Sequence, residues 1–213
     1  KKLQGSCKHV VRYIHSGRQD GFHFPVMDRL GDNLADLRKR TPKGQFALST
    51  VIIIGLQMID SIEEVHNLGY IHRDIKPSNY VMGRHVPKRR CYLIDFGLAR
   101  KYRLPNGDIR PPRKSAGFRG TARYASINSH KAKELSRRDD LWSLFYVLVE
   151  FSLGVLPWRK LKDKERIGEK KSLLSNKNLV KDLPREFFRF MEYIKSLGYA
   201  DDPDYSYLRS LLR

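Results

Sequence analysis

Acidic residues, cysteines and long apolar runs are all scarce in this sequence. Asp and Glu number 23 against 42 Lys and Arg, a formal charge of +19. Such a field draws polyanions: nucleic acid, anionic membrane surfaces, or acidic and phosphorylated proteins. Only Cys7 and Cys91 are present, which excludes a disulfide scaffold, and their spacing suits no metal site. The two thiols read as reduced and intracellular, in the cytoplasm or the nucleus. The longest apolar run, Leu141 to Leu156, is short for a membrane span and contains Glu150, so a buried core helix is expected there. No signal peptide, internal repeat or low-complexity tract appears. There is no initiating Met, "KKLQGSCKHV" reads like the end of a helix, and "YSYLRSLLR" stops inside a helical pattern. The chain therefore reads as part of a longer one.

What is present is the patterning of a folded domain. Forty per cent of the 213 residues are hydrophobic and they recur regularly, enough for a genuine core. "HVVRYI" (9–14) and "FHFPVM" (22–27) are predicted strands joined by the turn-like "SGRQDG", with Pro25 marking an edge or bulge. "NLADLRKR" predicts a short amphipathic helix. Ser49 is the expected cap of a long helix whose stripe is Ile52, Leu56, Ile59, Ile62, Val65 and Leu68, ended by Gly69. Two small strands, "YVMG" and "CYLID", flank the basic loop "RHVPKRR". A long irregular stretch from Phe96 to Tyr124 follows, then helices from near Ser136 and again at Pro184, whose ring suits a first helical turn.

The chemistry concentrates in "HRDIKPSN", on the tight loop between the long helix and the first small strand. Asp74, Lys76 and Asn79 stand close together, and Pro77 restricts Lys76 to extended conformations. Farther on, "IDFG" ends an apolar strand at Asp95, and Gly97 frees the backbone to turn. Two carboxylates, an amide and an ammonium facing one point suit phosphoryl transfer. One carboxylate accepts a hydroxyl proton, the other and the amide hold a divalent ion, and the ammonium offsets phosphate charge. Either fragment alone is usually a surface ion pair or a strand-ending turn; both together, in this order, are specific.

With these motifs the chain resembles the main lobe of a eukaryotic-type Ser/Thr protein kinase. "GFRGTARYASIN" stands where most kinases carry Ala-Pro-Glu, and with "SRRDDLWSL" it resembles the casein kinase 1 family. "KKLQG", "NLADLR", "GDIRPPRKSAGFRGT", "DDLWSLFYVLVEF" and "LPWRKLKDKE" are most similar to the tau-tubulin kinase branch. The resemblance covers essentially the whole chain. It implies an α+β, kinase-like fold: residues 1–30 as the remnant of the N-lobe and the hinge, and residues 31–213 as a mainly helical C-lobe, truncated at its end.

The resemblance also implies roles. Asp74 is the expected catalytic base, Lys76 the γ-phosphate contact, Asn79 and Asp95 the ligands of Mg2+, with Mn2+ as the alternative ion. Met27 is the expected gatekeeper, with the backbone of Asp28 and Leu30 against the adenine of ATP. His72, Arg73 and Asp140 are expected to be structural, Asp140 anchoring the catalytic loop or merely capping its helix. Thr121 is expected to bond near Asp74 and Lys76. Arg123 is the expected anion contact beside the substrate, supplemented by Lys164 or Arg166. The loop carrying Arg100, Lys101, Arg103, Arg110, Arg113, Lys114, Arg119 and Arg123 has Asp108 as its sole acid, which favours an acidic or phospho-primed protein substrate.

A Gly-rich phosphate loop and the strand lysine with its helix glutamate are absent. Weak ATP binding is therefore expected of these residues alone, and a non-catalytic scaffold is the competing reading. A nucleic-acid module is disfavoured because the aromatics follow core-like patterns rather than alternating with the basic residues. A monomer with no membrane attachment is expected.

Overall fold

The computed structural model describes residues 7–84, 90–174 and 176–213. The expected helix end at "KKLQG" and the centre of the "RHVPKRR" loop lie outside the described residues.

The front of the molecule is an antiparallel hairpin of β1 (Tyr13–Gln19) and β2 (Phe22–Met27). Its turn is the pair Asp20-Gly21, both at positive φ (49° and 83°), as a two-residue hairpin turn demands. The predicted strand over 9–14 is thus displaced toward the C-terminus. Residues 16–19, expected in the turn, pair in the ladder. His9 and Val10 are drawn away to Leu93, which donates its N–H to His9 O across 2.7 Å. Every residue of β2 is exposed. With two strands only, Pro25 sits on an edge as expected, and the register break lies between Tyr13 and His15.

Helix α1 (Leu34–Lys39) is capped by Asn33, whose side chain accepts from Asp36 N at 2.9 Å. Helix α2 (Leu48–Asn67) begins one residue before Ser49, which therefore cannot cap it; Ala47 occupies that place without a side-chain bond. The entry is held instead by Phe46, which donates its N–H to Phe151 O and packs edge-on against that ring. Val51, Met58, Ile59, Ile62 and Val65 are almost wholly buried. Gly69, at φ +81°, turns the chain out of the helix.

Then come β3 (Tyr70–Ile71), a 3-10 turn (Pro77–Asn79), β4 (Tyr80–Met82), β5 (Cys91–Leu93) and β6 (Arg100–Lys101). β4 pairs with β5 and β3 with β6, each antiparallel. The stretch expected to be irregular is therefore partly ordered by β6 and by a bridge between Arg103 and Ile109. Helices α3 (Ile127–His130), α4 (Arg137–Leu153), α5 (Lys164–Leu173), α6 (Asn176–Leu179), α7 (Arg185–Ser196) and α8 (Tyr205–Leu212) complete the chain.

The apolar run from Leu141 is the centre of the core. At the start of α4 Asp139 accepts the Ser136 N–H through Oδ2 at 2.8 Å, and Gly154 in the left-handed conformation ends the helix. Leu141, Leu144, Phe145, Val147, Leu148 and Phe151 are at most 1% exposed, and each such burial contributes about 1.5–3 kcal/mol. Gly55 lets three helices meet: a Cβ there would lie 3.0 Å from both Leu148 and Leu212. Among the described residues no helix is long and apolar enough to cross a membrane.

Candidate active site

The loop from His72 to Asn79 hangs from one buried carboxylate. Asp140, at the start of α4, accepts the N–H of His72 through Oδ2 and that of Arg73 through Oδ1, each at 2.7 Å. Oδ2 also lies 2.9 Å from His66 Nε2. Burial pushes this carboxyl up, but the bond from His66 and the neighbouring imidazoles outweigh it and hold it below the ordinary value. His66 in turn meets the Tyr205 hydroxyl through Nδ1 at 2.6 Å, and its carbonyl accepts from Tyr102. The bonds place Asp140 as the loop's anchor rather than as a simple helix cap.

The other two residues expected to be structural also shape the loop. His72 Nε2 lies 3.1 Å from the Ile94 carbonyl and Nδ1 accepts the Asp74 N–H at 3.3 Å, which defines one neutral tautomer. Burial lowers its pKa and so favours that neutral form. Arg73 sits at φ +68° and donates through Nε to Leu98 O at 2.7 Å, fastening the loop to the segment after Asp95.

Asp74 emerges from this frame 8% exposed, with both carboxylate oxygens bonded. Lys76 Nζ lies 2.6 Å from Oδ2, and Thr121 Oγ1 donates to Oδ1 at 2.8 Å. Lys76 also reaches Thr121 Oγ1 at 3.3 Å, closing a triangle. Gly120 makes the approach feasible: at φ +95°, a Cβ there would lie 2.7 Å from Arg73 O. The structure thus joins two loops that stand far apart in the chain.

Asn79 donates Nδ2 to the Asp74 carbonyl at 2.9 Å, so its Oδ1 is left without a protein partner among the described residues. Its backbone carbonyl accepts from Ile94, the residue before Asp95. Asp95 is exposed, at φ +62°, and accepts the Gly97 N–H through Oδ1 at 3.2 Å. An amide oxygen and a largely unspent carboxylate are hard oxygen donors of the kind that Mg2+ takes alongside nucleotide phosphates.

On the other side, Met27 ends β2, 44% exposed. Asp28 donates its N–H to Arg12 O and its carboxylate pairs with the Arg12 guanidinium at 3.0 Å. Past Leu30, the Gly31 N–H donates to Met82 O, and Met82 N–H to Asp32 O, so this linker is stitched to the strand that follows Asn79.

The basic loop is less available than its sequence implies. Arg100 and Arg113 both pair with buried Glu134, and Arg103 bonds Tyr102 and the Gly107 carbonyl. Arg123, 38% exposed, leans toward fully buried Glu150 at 3.7 Å. Glu150 also faces Arg38 at 3.4 Å and accepts from the Tyr124 hydroxyl at 2.6 Å. Lys164 lies over the Phe118 ring, near this segment, whereas Arg166 lines a separate groove with Leu161 and Leu173.

Three buried residues behind the site carry little or no local signal of their partners. His66 is hidden in the last turn of α2, where only its polarity beside the apolar stripe marks it. Glu150 is visible as the lone acid of an apolar run, but nothing local names its partners. Lys171 disappears into the "KERIGEKK" charge run, although its spacing of four from Ile167 places it on the buried face.

These side chains converge on one loop of a mainly helical α+β frame. Residues 1–197 match the model of the protein kinase domain, and the chain belongs to that family. Over all 213 residues it is 55% identical to a Dictyostelium discoideum protein described as a probable serine/threonine-protein kinase. The chain spans 43% of that relative's length.

Proposed function

We propose that this chain carries the catalytic loop of a Ser/Thr protein kinase that transfers the γ-phosphoryl group of ATP to protein hydroxyls. The observation that carries the reading is the Asp74–Lys76–Thr121 triangle, with Asn79 and Asp95 beside it. Asp74 orients a substrate hydroxyl and accepts its proton as the oxygen attacks, an effect of roughly 10²- to 10⁴-fold in rate for a placed base. Lys76, already beside that carboxylate, neutralises charge on the phosphoryl oxygens. Asn79 Oδ1 and Asp95 would hold Mg2+ or Mn2+, which would offset charge on the phosphate oxygens. The Asp28 N–H is engaged by Arg12, which leaves the Asp28 carbonyl and the Leu30 N–H for adenine, next to Met27.

The substrate class follows from what lies around Thr121. A hydroxyl at Asp74 brings its flanking residues against the segment that carries Arg123, favouring acidic or phosphorylated sequences. The motifs from Gly117 to Asn128 support a place in the casein kinase 1 family, and "NLADLR", "HRDIKPSN", "DDLWSLFYVLVEF" and "LPWRKLKDKE" support its tau-tubulin branch. We read residues 1–30 as N-lobe and hinge and 31–213 as C-lobe, and the protein as a cytoplasmic monomer. The test is phosphate transfer by the full-length protein, with MgATP, to acidic and neutral Ser peptides. Transfer favouring the acidic peptide is expected; no transfer to any Ser or Thr peptide contradicts the reading.

A further inference from the structure

We propose that Lys171, on α5, is a positioning residue that sets the backbone of Ala122–Ala125 and thereby aims Arg123 at acidic substrate residues; this rests on the reading above.

Lys171 is 5% exposed, on the one face of α5 that is buried, with Ile167 and Gly168. A lysine there costs desolvation unless its N–H groups find partners. Its Nζ donates to Ala125 O at 2.6 Å and Ala122 O at 2.8 Å, and lies 3.4 Å from His130 Nε2. The same nitrogen sits over the faces of Tyr146 and Trp158, 4.7 and 5.0 Å from their centres. Trp158 Nε1 donates to Arg123 O at 2.8 Å. The carbonyls of residues 122, 123 and 125 are therefore all held by side chains from outside the segment. Gly168 permits this closeness, since a Cβ there would lie 2.9 Å from His130.

An apolar side chain of Lys171's length would fill the space but leave two inward-facing carbonyls unbonded. Burial pushes the Lys171 amine down to about 6, yet the neutral and the charged forms both carry N–H groups enough for the two carbonyls. The Thr121 end is fastened separately, by Asp74 and Lys76. Loss of Lys171 therefore releases the Arg123 end first, which separates peptide recognition from the chemical step.

The test uses the full-length protein as wild type, Lys171→Met, Arg123→Ala and the double variant. Steady-state rates are measured on an acidic Ser peptide and on the same peptide with its acids replaced by Ala. The inference expects Lys171→Met to raise KM for the acidic peptide about 5- to 10-fold, the scale of a lost hydrogen bond or two. It expects kcat and the KM for the neutral peptide to stay within about 2-fold, and the double variant to be no worse than Arg123→Ala. Equal losses on both peptides, or an unchanged KM in a folded Lys171→Met protein, overturn it. If the wild type transfers no phosphate, the kinase reading falls alone. Binding of the fluorescently labelled acidic peptide then decides: weaker binding to Lys171→Met supports the clamp, and equal binding overturns it.

Discussion

Thr121 and Asp74, 47 positions apart, share a 2.8 Å hydrogen bond in which the hydroxyl donates to the carboxylate. That bond ties the segment proposed to face the substrate to the proposed catalytic base, so the position of one sets the position of the other. Thr121→Val keeps the shape and removes the donor. Hydrogen bonds to charged groups contribute about 1.5–3 kcal/mol, so kcat is expected to fall about 10- to 100-fold. Thr121→Ser keeps the hydroxyl and most of the rate; steady-state kinetics of both variants checks this.

Asp140 is the single acceptor for two loop N–H groups and a bonded partner of His66. Asp140→Ala leaves them buried without it. A loss of about 3–5 kcal/mol is expected, as for a buried pair broken on one side. Urea unfolding of the variant against the wild type measures it.

Gly120 is constrained twice, by φ +95° and by a 2.7 Å approach to Arg73 O. Gly120→Ala must shift backbone against backbone. A cost of about 1–3 kcal/mol is expected from the conformation alone. The melting temperature should fall, with loss of activity beyond what that fall explains, because the Thr121 contact moves as well.

His130 is held well below the ordinary imidazole value, down to about 4, first by burial and then by Lys171; Glu165 opposes and Phe118 packs on the ring. Between pH 6.5 and about 4 the unfolded chain binds a proton that the folded chain does not. Stability is therefore lost as pH falls through that window, and the slope from this group ends below about 4. His72, also lowered by burial, acts in the same direction. Melting curves from pH 7 to 4 should show the decline, shallower in His130→Gln.

The fold and the centre of the site were legible because they rest on local signals. The Ile59, Ile62 and Val65 part of the stripe, the Gly69 stop, the helix from near Ser136 and the "HRDIKPSN" loop depend on spacing and turn chemistry within a few residues, whereas Ile52, Leu56 and Leu68 of the same stripe are only partly buried. The misplacements have tertiary causes. The first strand moved because His9 and Val10 pair with Leu93, and α2 begins before Ser49 because Phe46 is fixed by Phe151. The eight cations of the basic loop read as one surface, but Glu134 and Glu150, from outside it, engage Arg100, Arg113 and Arg123. His66, Glu150 and Lys171 act through partners tens of residues away, which no local pattern reveals.

The central claim is that Asp74 is the base of a phosphoryl transfer. Its most direct test is transfer of labelled γ-phosphate to an acidic Ser peptide by the full-length protein, wild type against Asp74→Asn, with melting temperatures measured in parallel. The account predicts transfer by the wild type and a rate at least about 10²-fold lower in a folded Asp74→Asn protein. Equal rates in the two proteins would contradict it.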